Sequence, residues 1–199
     1  MKIMFNMLYR VASHLLAVTI LMPLPSALSA PTKTPALPAN SVYQLSVPFT
    51  DQEGRASILA DWRGKPVMIT MFYSSCQFVC PRIVEALKKT QASLDPQHAK
   101  LPILMVTLDP ARDDTATLKA MAEERHLDSK RWTLSRTDAR NVRKLAAMLG
   151  IQYRELPSGE FNHSSVIILL DAEGRVVGKT SVLGEADPAF VKLVRNMKP

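Results

Sequence analysis

The sequence predicts an α/β domain in which a central mixed sheet carries helices on its faces. A buried strand, a helix and a second buried strand follow one another between residues 66 and 108, and a turn-linked strand pair and a helix end the chain. Strands joined by a helix lie parallel, whereas strands joined by a tight turn lie antiparallel, so the sheet is mixed. With 199 residues, 47% of them hydrophobic and 22% charged, the chain has the composition of a globular domain and not of a disordered protein.

The first half of the domain contains the strand–helix–strand unit. Acidic and glycine residues at 50–55 predict the turn of an early hairpin. The apolar run Pro66–Tyr73, flanked by turn residues, is typical of a buried strand. A loop at 74–78 leads into a helix at Val79–Leu94, whose apolar residues recur at helical spacing, and Leu101–Leu108 is a second buried strand.

The second half alternates helices with strands. Asp114 is placed to cap the start of one helix and Gly150 to close the end of another. Met68, Met71 and Met105 lie within the apolar runs, so we expect them to fill the core. The predicted elements are a helix at 114–125, a short strand at 131–135, a helix at 138–149, strands at 165–170 and 175–182, and a helix at 186–196. This order predicts a thioredoxin-like fold with an N-terminal hairpin and an insertion before the final strand pair and helix.

Residues 1–30 have the layout of a secretory signal peptide. Lys2 and Arg10 supply its positive charge, an apolar stretch of about 14 residues covers 11–24, and small residues at 27–30 suit cleavage. The stretch is shorter than the roughly 18–20 residues that span a membrane. We therefore expect a periplasmic or otherwise exported protein that is soluble after cleavage. Retention of this segment as an N-terminal membrane tether is the alternative.

Composition divides the rest of the chain and limits its partners. Prolines predict an extended tether over residues 31–42, which leaves 43–199 as the folded domain. The formal net charge is +7, but no run of like charges reaches the five or six residues typical of a nucleic-acid-binding tail. We therefore expect no nucleic-acid partner. A basic surface still suits an acidic partner or proximity to an anionic membrane surface.

The two cysteines, Cys76 and Cys80, lie at the corner between the first buried strand and its helix. A structural disulfide between them would close a short loop and remove little entropy from the unfolded chain. A redox dithiol is a second interpretation, because a helix N-terminus lowers the pKa of a thiol, although such pairs usually have two intervening residues. Metal binding is the third, since soft thiolates suit Cu(I), Zn or iron–sulfur clusters, and a further ligand such as histidine would be needed.

The histidines of the predicted domain differ in their surroundings. His98 and His126 lie in polar segments, so we expect both at the solvated surface. His163 lies at the start of a strand that should neighbour the first strand–helix–strand unit, near the cysteines. Thioredoxin-type oxidoreductases place a cis-proline just before that strand. Here His163 occupies that position, and the nearest proline is Pro157. A group able to bind metal thus replaces one that shapes a peptide groove.

Three short motifs follow one another in the domain. Residues 72–81 carry C-x-x-x-C-P after a strand, residues 106–113 read V-T-L-D-P-A-R-D, and residues 162–164 read N-H-S. Their order and spacing, over roughly residues 43–195, resemble the SCO/SenC family, the copper chaperones of cytochrome c oxidase assembly. The second motif ends in Asp113, a candidate cap for the following helix.

This resemblance implies a function and a ligand set. Family members bind one copper ion per chain, as Cu(I) or Cu(II), which here implies the ligands Cys76, Cys80 and His163. Asp109 and Asn162 are candidates for residues beside the metal. The implied partners are an upstream copper donor and a cuproprotein client, such as a cytochrome c oxidase subunit, whose binuclear copper site the chain would supply or mature.

The chain departs from the family pattern at two positions. Gln77 stands where the family often has proline, and Asn162 stands where it usually has aspartate, which removes a negative charge near the metal. These departures leave the client open, and another copper protein is an alternative. A second function would be a thiol–disulfide oxidoreductase that keeps a client's copper-site cysteines reduced. It would use Cys76 and Cys80 alone as its redox pair.

Overall fold

The structure is a computed structural model that describes residues 36–198. The predicted signal segment at residues 1–30 lies outside the described residues, as does the first part of the predicted tether. The end of that tether packs on the domain, because Ser41 and Val42 are buried and the Val42 amide donates to the Gly174 carbonyl at 2.9 Å. Within the described part of the chain, no helix is long and apolar enough to cross a membrane.

Residues 36–198 contain nine strands. In chain order they are β1 (Pro48–Asp51), β2 (Ala56–Ile58), β3 (Val67–Phe72), β4 (Ile103–Thr107), β5 (Trp132–Arg136), β6 (Tyr153–Glu155), β7 (Phe161–His163), β8 (Ile167–Leu170) and β9 (Val176–Thr180). Seven form one sheet in the order β2-β1-β5-β4-β3-β8-β9, while β6 and β7 form a separate two-stranded sheet. Strands β3, β4 and β5 are parallel and the outer pairs are antiparallel, which confirms the predicted mixed sheet and N-terminal hairpin.

Helices cover both faces of the seven-stranded sheet. They are α1 (Val79–Ala92), α2 (Thr115–Glu124), α3 (Ala139–Leu149) and α4 (Pro188–Arg195). Buried residues of α1, α2 and α4 pack in one hydrophobic cluster, and those of α3 pack in a second cluster with the N-terminal turn at Val42–Gln44. The domain is therefore a three-layer sandwich with a core on each side of the sheet.

The central strands are buried on both faces, which explains their unbroken apolar sequences. Alternate residues of β3 enter opposite clusters: Met68 and Phe72 face α1, whereas Ile69 and Met71 face α3. Met105 of β4 also faces α1. All three predicted core methionines are fully buried, which confirms the packing role expected for them.

The helix boundaries follow the caps. The Asp114 carboxylate accepts the Thr117 amide at 2.8 Å and begins α2, as predicted. Asp138 begins α3 in the same way, accepting the Asn141 amide at 2.9 Å. Gly150 closes α3 in the left-handed conformation, with φ 69°, which only glycine adopts without strain.

One feature of the fold was not predicted. Strands β6 and β7 form a hairpin in which Tyr153 pairs with His163 and Glu155 pairs with Phe161. His163 therefore ends a separate hairpin instead of starting the strand that follows it. Each strand has three residues with mixed polar and apolar side chains, and so short a segment shows no clear alternation.

The prediction that His98 is a solvated surface residue is wrong. Its side chain is buried, with Nδ1 2.7 Å from Asp95 Oδ2 and Nε2 2.9 Å from the Met197 carbonyl oxygen. The second contact joins residues 99 positions apart, so the polar sequence around His98 does not indicate it. His126 is exposed, as predicted.

Candidate metal centre

The cysteines lie at the carboxyl edge of the sheet, where β3 gives way to α1. Cys76 lies in the connecting loop, and its amide donates to the Tyr73 carbonyl at 3.3 Å. Cys80 lies in the first turn of α1, and both thiols are free and buried. Phe78, between them, is 84% exposed and is the most exposed of the large hydrophobic residues in the described chain.

The cysteine loop is held by Asp113, which follows β4. Its carboxylate accepts the Ser74 amide at 3.0 Å and the hydroxyls of Ser74 and Thr107. The sequence suggested Asp113 as a cap for α2, but Asp114 occupies that position instead. Its buried carboxylate joins the ends of β3 and β4, and its negative charge also acts on Cys80.

The two thiols form a hydrogen-bonded pair with unequal acidity. A hydrogen bond from the Cys80 thiol is the main cause that lowers the pKa of Cys76 from 9.0 to about 4, against the effect of burial. The backbone amides of Cys80, 3.4 Å from the Cys76 sulfur, and of Val79 contribute to this lowering. The same thiol–sulfur bond, together with burial, raises the pKa of Cys80 above its usual range. At neutral pH the reduced pair therefore carries one negative charge, on Cys76.

Tyr73 joins the cysteine loop to the β6–β7 hairpin. Its hydroxyl donates to Glu160 Oε2 at 2.6 Å and interacts with Cys76. Its ring meets the His163 ring edge-on with centroids 5.8 Å apart, and the Phe161 ring at 5.3 Å. Burial and the bond to Glu160 raise the pKa of Tyr73, so its hydroxyl remains a donor.

His163 presents a neutral imidazole on the same side of the sheet. Its Nδ1 lies 3.2 Å from the Ser164 carbonyl oxygen, and within residues 36–198 its Nε2 has no hydrogen-bond partner. Burial lowers the pKa of His163, while the Ser164 carbonyl and the charge on Cys76 oppose that shift. An unprotonated nitrogen is what metal coordination requires.

The three predicted ligands lie at one edge of the sheet but are not assembled into a complete site. Among the described residues, no group of three or more His, Cys, Asp or Glu side chains is spaced to hold a metal ion. Two sulfurs, one of them ionised, and a neutral imidazole nevertheless form a soft donor set of the kind that binds Cu(I). Coordination by all three would require the imidazole and the two sulfurs to come closer together than they are here.

The other two candidate residues, Asp109 and Asn162, make their contacts with residues other than the cysteines. Asp109 is buried and its carboxylate pairs with Arg112, which reaches the β6–β7 hairpin. Asn162 is exposed and opposes Arg154 across the hairpin. Successive residues of a strand point to opposite faces, so Asn162 and His163 project in opposite directions.

Two residues of the site escaped the sequence analysis. Tyr73 lies within the first motif, so its position three residues before Cys76 was an available signal. Glu160 had no local signal, because its bond to Tyr73 joins residues 87 positions apart.

Comparison with known proteins gives the family of this chain. The family model SCO1/SenC matches residues 38–198. The chain belongs to the SCO1/SenC family. The Protein SCO2 homologs of Bos taurus and Homo sapiens, both mitochondrial, are each 27% identical to it over 149 residues, which cover 71% of this chain and 55% of theirs. The chain therefore spans about half the length of these relatives.

Solved SCO structures share its thioredoxin-like fold. A SCO1/SenC family lipoprotein from Bacillus anthracis superimposes with a TM-score of 0.69 at 21% identity, covering 75% of this chain and 91% of that one. Bradyrhizobium japonicum ScoI with copper bound gives 0.63 at 23% identity, covering 74% and 96%. Yeast Sco1 with copper bound gives 0.64 at 22% identity, covering 75% and 85%. These likenesses confirm the predicted fold class.

Proposed function

We propose that this SCO1/SenC chain is a copper chaperone that supplies or matures the binuclear copper site of cytochrome c oxidase or of a similar copper protein. The observation that carries the proposal is the pairing of an ionised Cys76 with the Cys80 thiol beside a neutral His163. Family membership and the copper-bound SCO structures support copper as the cargo.

The residues suggest an order of events for copper capture, with one ion carried per chain. The Cys76 thiolate binds first, because it needs no deprotonation at neutral pH. Cys80 then gives up its proton and supplies the second sulfur. His163 closes the site from the β6–β7 hairpin, with Asp109 and Asn162 outside the ligand set, and it is the ligand placed to leave first when a client cysteine takes the ion.

We also propose that the protein works outside the cytoplasm. The support is the predicted signal segment at residues 1–30 and the two free cysteines, which can switch between thiols and disulfide in an oxidising compartment. The protein would be soluble after cleavage or tethered at its N-terminus, close to a membrane surface. Its partners would be an upstream copper donor and the cuproprotein client, with no nucleic acid.

Copper stoichiometry and affinity test the proposal. We expect one copper per reduced chain, its loss in Cys76→Ser, and at least tenfold weaker binding in His163→Asn. His126→Asn is the matched control, because His126 is exposed and its φ of 50° suits asparagine. Wild-type affinity in His163→Asn would remove the histidine from the site, and failure to retain copper in the wild type would overturn the chaperone function.

The low pKa of Cys76 favours a second candidate, a thiol–disulfide oxidoreductase. The Cys76 thiolate would attack a client disulfide, forming a mixed disulfide and releasing one client thiolate. Cys80 would then lose its proton and attack the Cys76 sulfur, which releases the second client thiolate and leaves a Cys76–Cys80 disulfide. Reduction of a client disulfide that survives His163→Asn, without tight copper binding, would favour this function.

A further inference from the structure

The hairpin that carries His163 has no strand pairing with the main sheet. Strands β6 and β7 bond to each other alone, so other contacts must hold the hairpin against the carboxyl edge of the sheet. Some come from apolar packing, because Phe161 touches both hydrophobic clusters. The polar contacts come from two side chains: Tyr73, whose hydroxyl donates to Glu160, and Arg112 of the second motif.

Arg112 reaches three parts of the hairpin from the segment after β4. Its Nη2 donates to the Gly159 carbonyl at 2.6 Å and lies 3.3 Å from Glu155 Oε1. The guanidinium carbon lies 5.9 Å from the centre of the Phe161 ring. Its Nε donates to the carboxylate of Asp109, which is buried and so fixed to the sheet. One guanidinium thus connects the sheet edge to both strands and the turn of the hairpin.

The geometry points to Arg112 as a positioning residue that helps to hold the β6–β7 hairpin, and with it His163, beside the cysteines. The inference rests on the proposed function, because it concerns the affinity of a copper ion ligated by His163. Arg112 touches neither the sulfurs nor the imidazole in this structure. It acts by limiting the positions that the hairpin can occupy, and a ligand held near its place loses less freedom when the metal binds.

The chemistry of the contact requires arginine and glycine. A planar guanidinium can direct separate donors to Asp109 and to the Gly159 carbonyl, whereas a lysine ammonium is a single compact charge on a flexible stem. Gly159 has φ 83°, and a Cβ built on it would lie 2.6 Å from Arg112 Nη1. Glycine therefore lets the guanidinium approach the turn.

Hydrogen exchange of the hairpin amides and copper competition together test the role of Arg112. In Arg112→Ala we expect exchange at 153–163 to accelerate about tenfold or more, since a charge-assisted hydrogen bond is lost, with β3 and β8 unchanged. Copper binding should weaken about threefold to tenfold, and Arg112→Lys should fall between alanine and wild type. Unchanged or tighter copper binding in Arg112→Ala would overturn the inference.

Two further comparisons separate positioning from a general structural effect. Gly159→Ala should reproduce both effects by displacing the guanidinium, whereas Gly54→Ala, with the similar φ of 76° and nothing within 4 Å of its Cβ, should reproduce neither. In a His163→Asn background, Arg112→Ala should cause no further loss of copper affinity. An equal loss in both backgrounds would overturn the inference and leave the chaperone proposal intact. If His163→Asn itself binds copper like wild type, the histidine assignment fails, and the positioning role fails with it.

Discussion

Removing the Cys80 thiol should make Cys76 a much weaker acid. In the wild type the Cys80 thiol is the largest of the effects that lower the pKa of Cys76 to about 4. In Cys80→Ala that donor is absent, while the backbone amides at the start of α1 and Tyr73 still favour the thiolate. We therefore expect a pKa between about 4 and the ordinary value of 9.0. At pH 6 an unperturbed thiol would be only about 0.1% ionised, whereas the wild-type thiol is almost fully ionised.

The assay is the pH dependence of alkylation of the reduced protein, with the midpoint of the profile as the readout. The midpoint is preferred to the rate, because a thiolate of lower pKa is also a weaker nucleophile and the two effects partly cancel. The wild-type midpoint should lie near 4 and should rise by several units in Cys80→Ala. Cys76→Ala, which keeps only the buried Cys80, should show no alkylation below pH 8. A wild-type midpoint near 9, or no shift in Cys80→Ala, would refute the thiolate–thiol pairing.

The same pKa has a consequence for stability. The folded-state pKa of Cys76 lies below the unfolded value, so ionisation of this group stabilises the folded, reduced protein as pH rises from about 4 toward 9.0. That contribution is fully present above the unfolded pKa and is lost as pH falls through about 4. The urea midpoint of the wild type should therefore rise relative to that of Cys76→Ala as pH increases from 4 to 8. A difference between the two midpoints that stays constant with pH would contradict this prediction.

Three other predictions concern copper binding, the cysteine loop and the exposed phenylalanine. Between pH 5 and 8 the logarithm of the copper affinity should rise by about one per pH unit, since Cys80 must lose a proton and Cys76 has already lost its own. A competition titration in which the logarithm of affinity rises by about two per pH unit would contradict this. Asp113→Asn should lower the free energy of unfolding by about 1–3 kcal/mol, because a buried charged acceptor is lost. Asp114→Asn should be close to neutral, because asparagine caps helices as well as aspartate does. Equal urea midpoints for these two variants would count against the role of Asp113. Phe78→Ser should change the free energy of unfolding by less than about 0.5 kcal/mol and leave copper binding intact, because the ring is exposed; a larger loss in either measurement would show that the ring packs on the protein.

Much of the fold could be predicted because its determinants are local in sequence. The apolar run of β3 is continuous because both faces are buried, and the ends of α2 and α3 are marked by Asp114 and Gly150. The β6–β7 hairpin was missed because three-residue strands have no measurable period. The burial of His98 was missed because it depends on the distant Met197 carbonyl.

The candidate site divides in the same way. Cys76 and Cys80 were identifiable from their spacing at a strand–helix corner, and His163 from its place in the chain. The unequal acidity of the thiols depends on which sulfur receives the hydrogen bond and the helix amides, and this is a property of three-dimensional geometry. The anchoring by Asp113 depends on its contact with Ser74, 39 positions away.

The burial of the methionines determines where oxidants can damage the protein. Thioethers are converted to sulfoxides by oxidants such as peroxide. Met68, Met71 and Met105 lie inside the two cores, so oxidants reach them only when the domain opens. Met148 on α3 is 39% exposed, so oxidants can reach it without unfolding of the domain. Oxidation at this surface position would leave the core packing unchanged, so the domain can accumulate this lesion and still keep its fold.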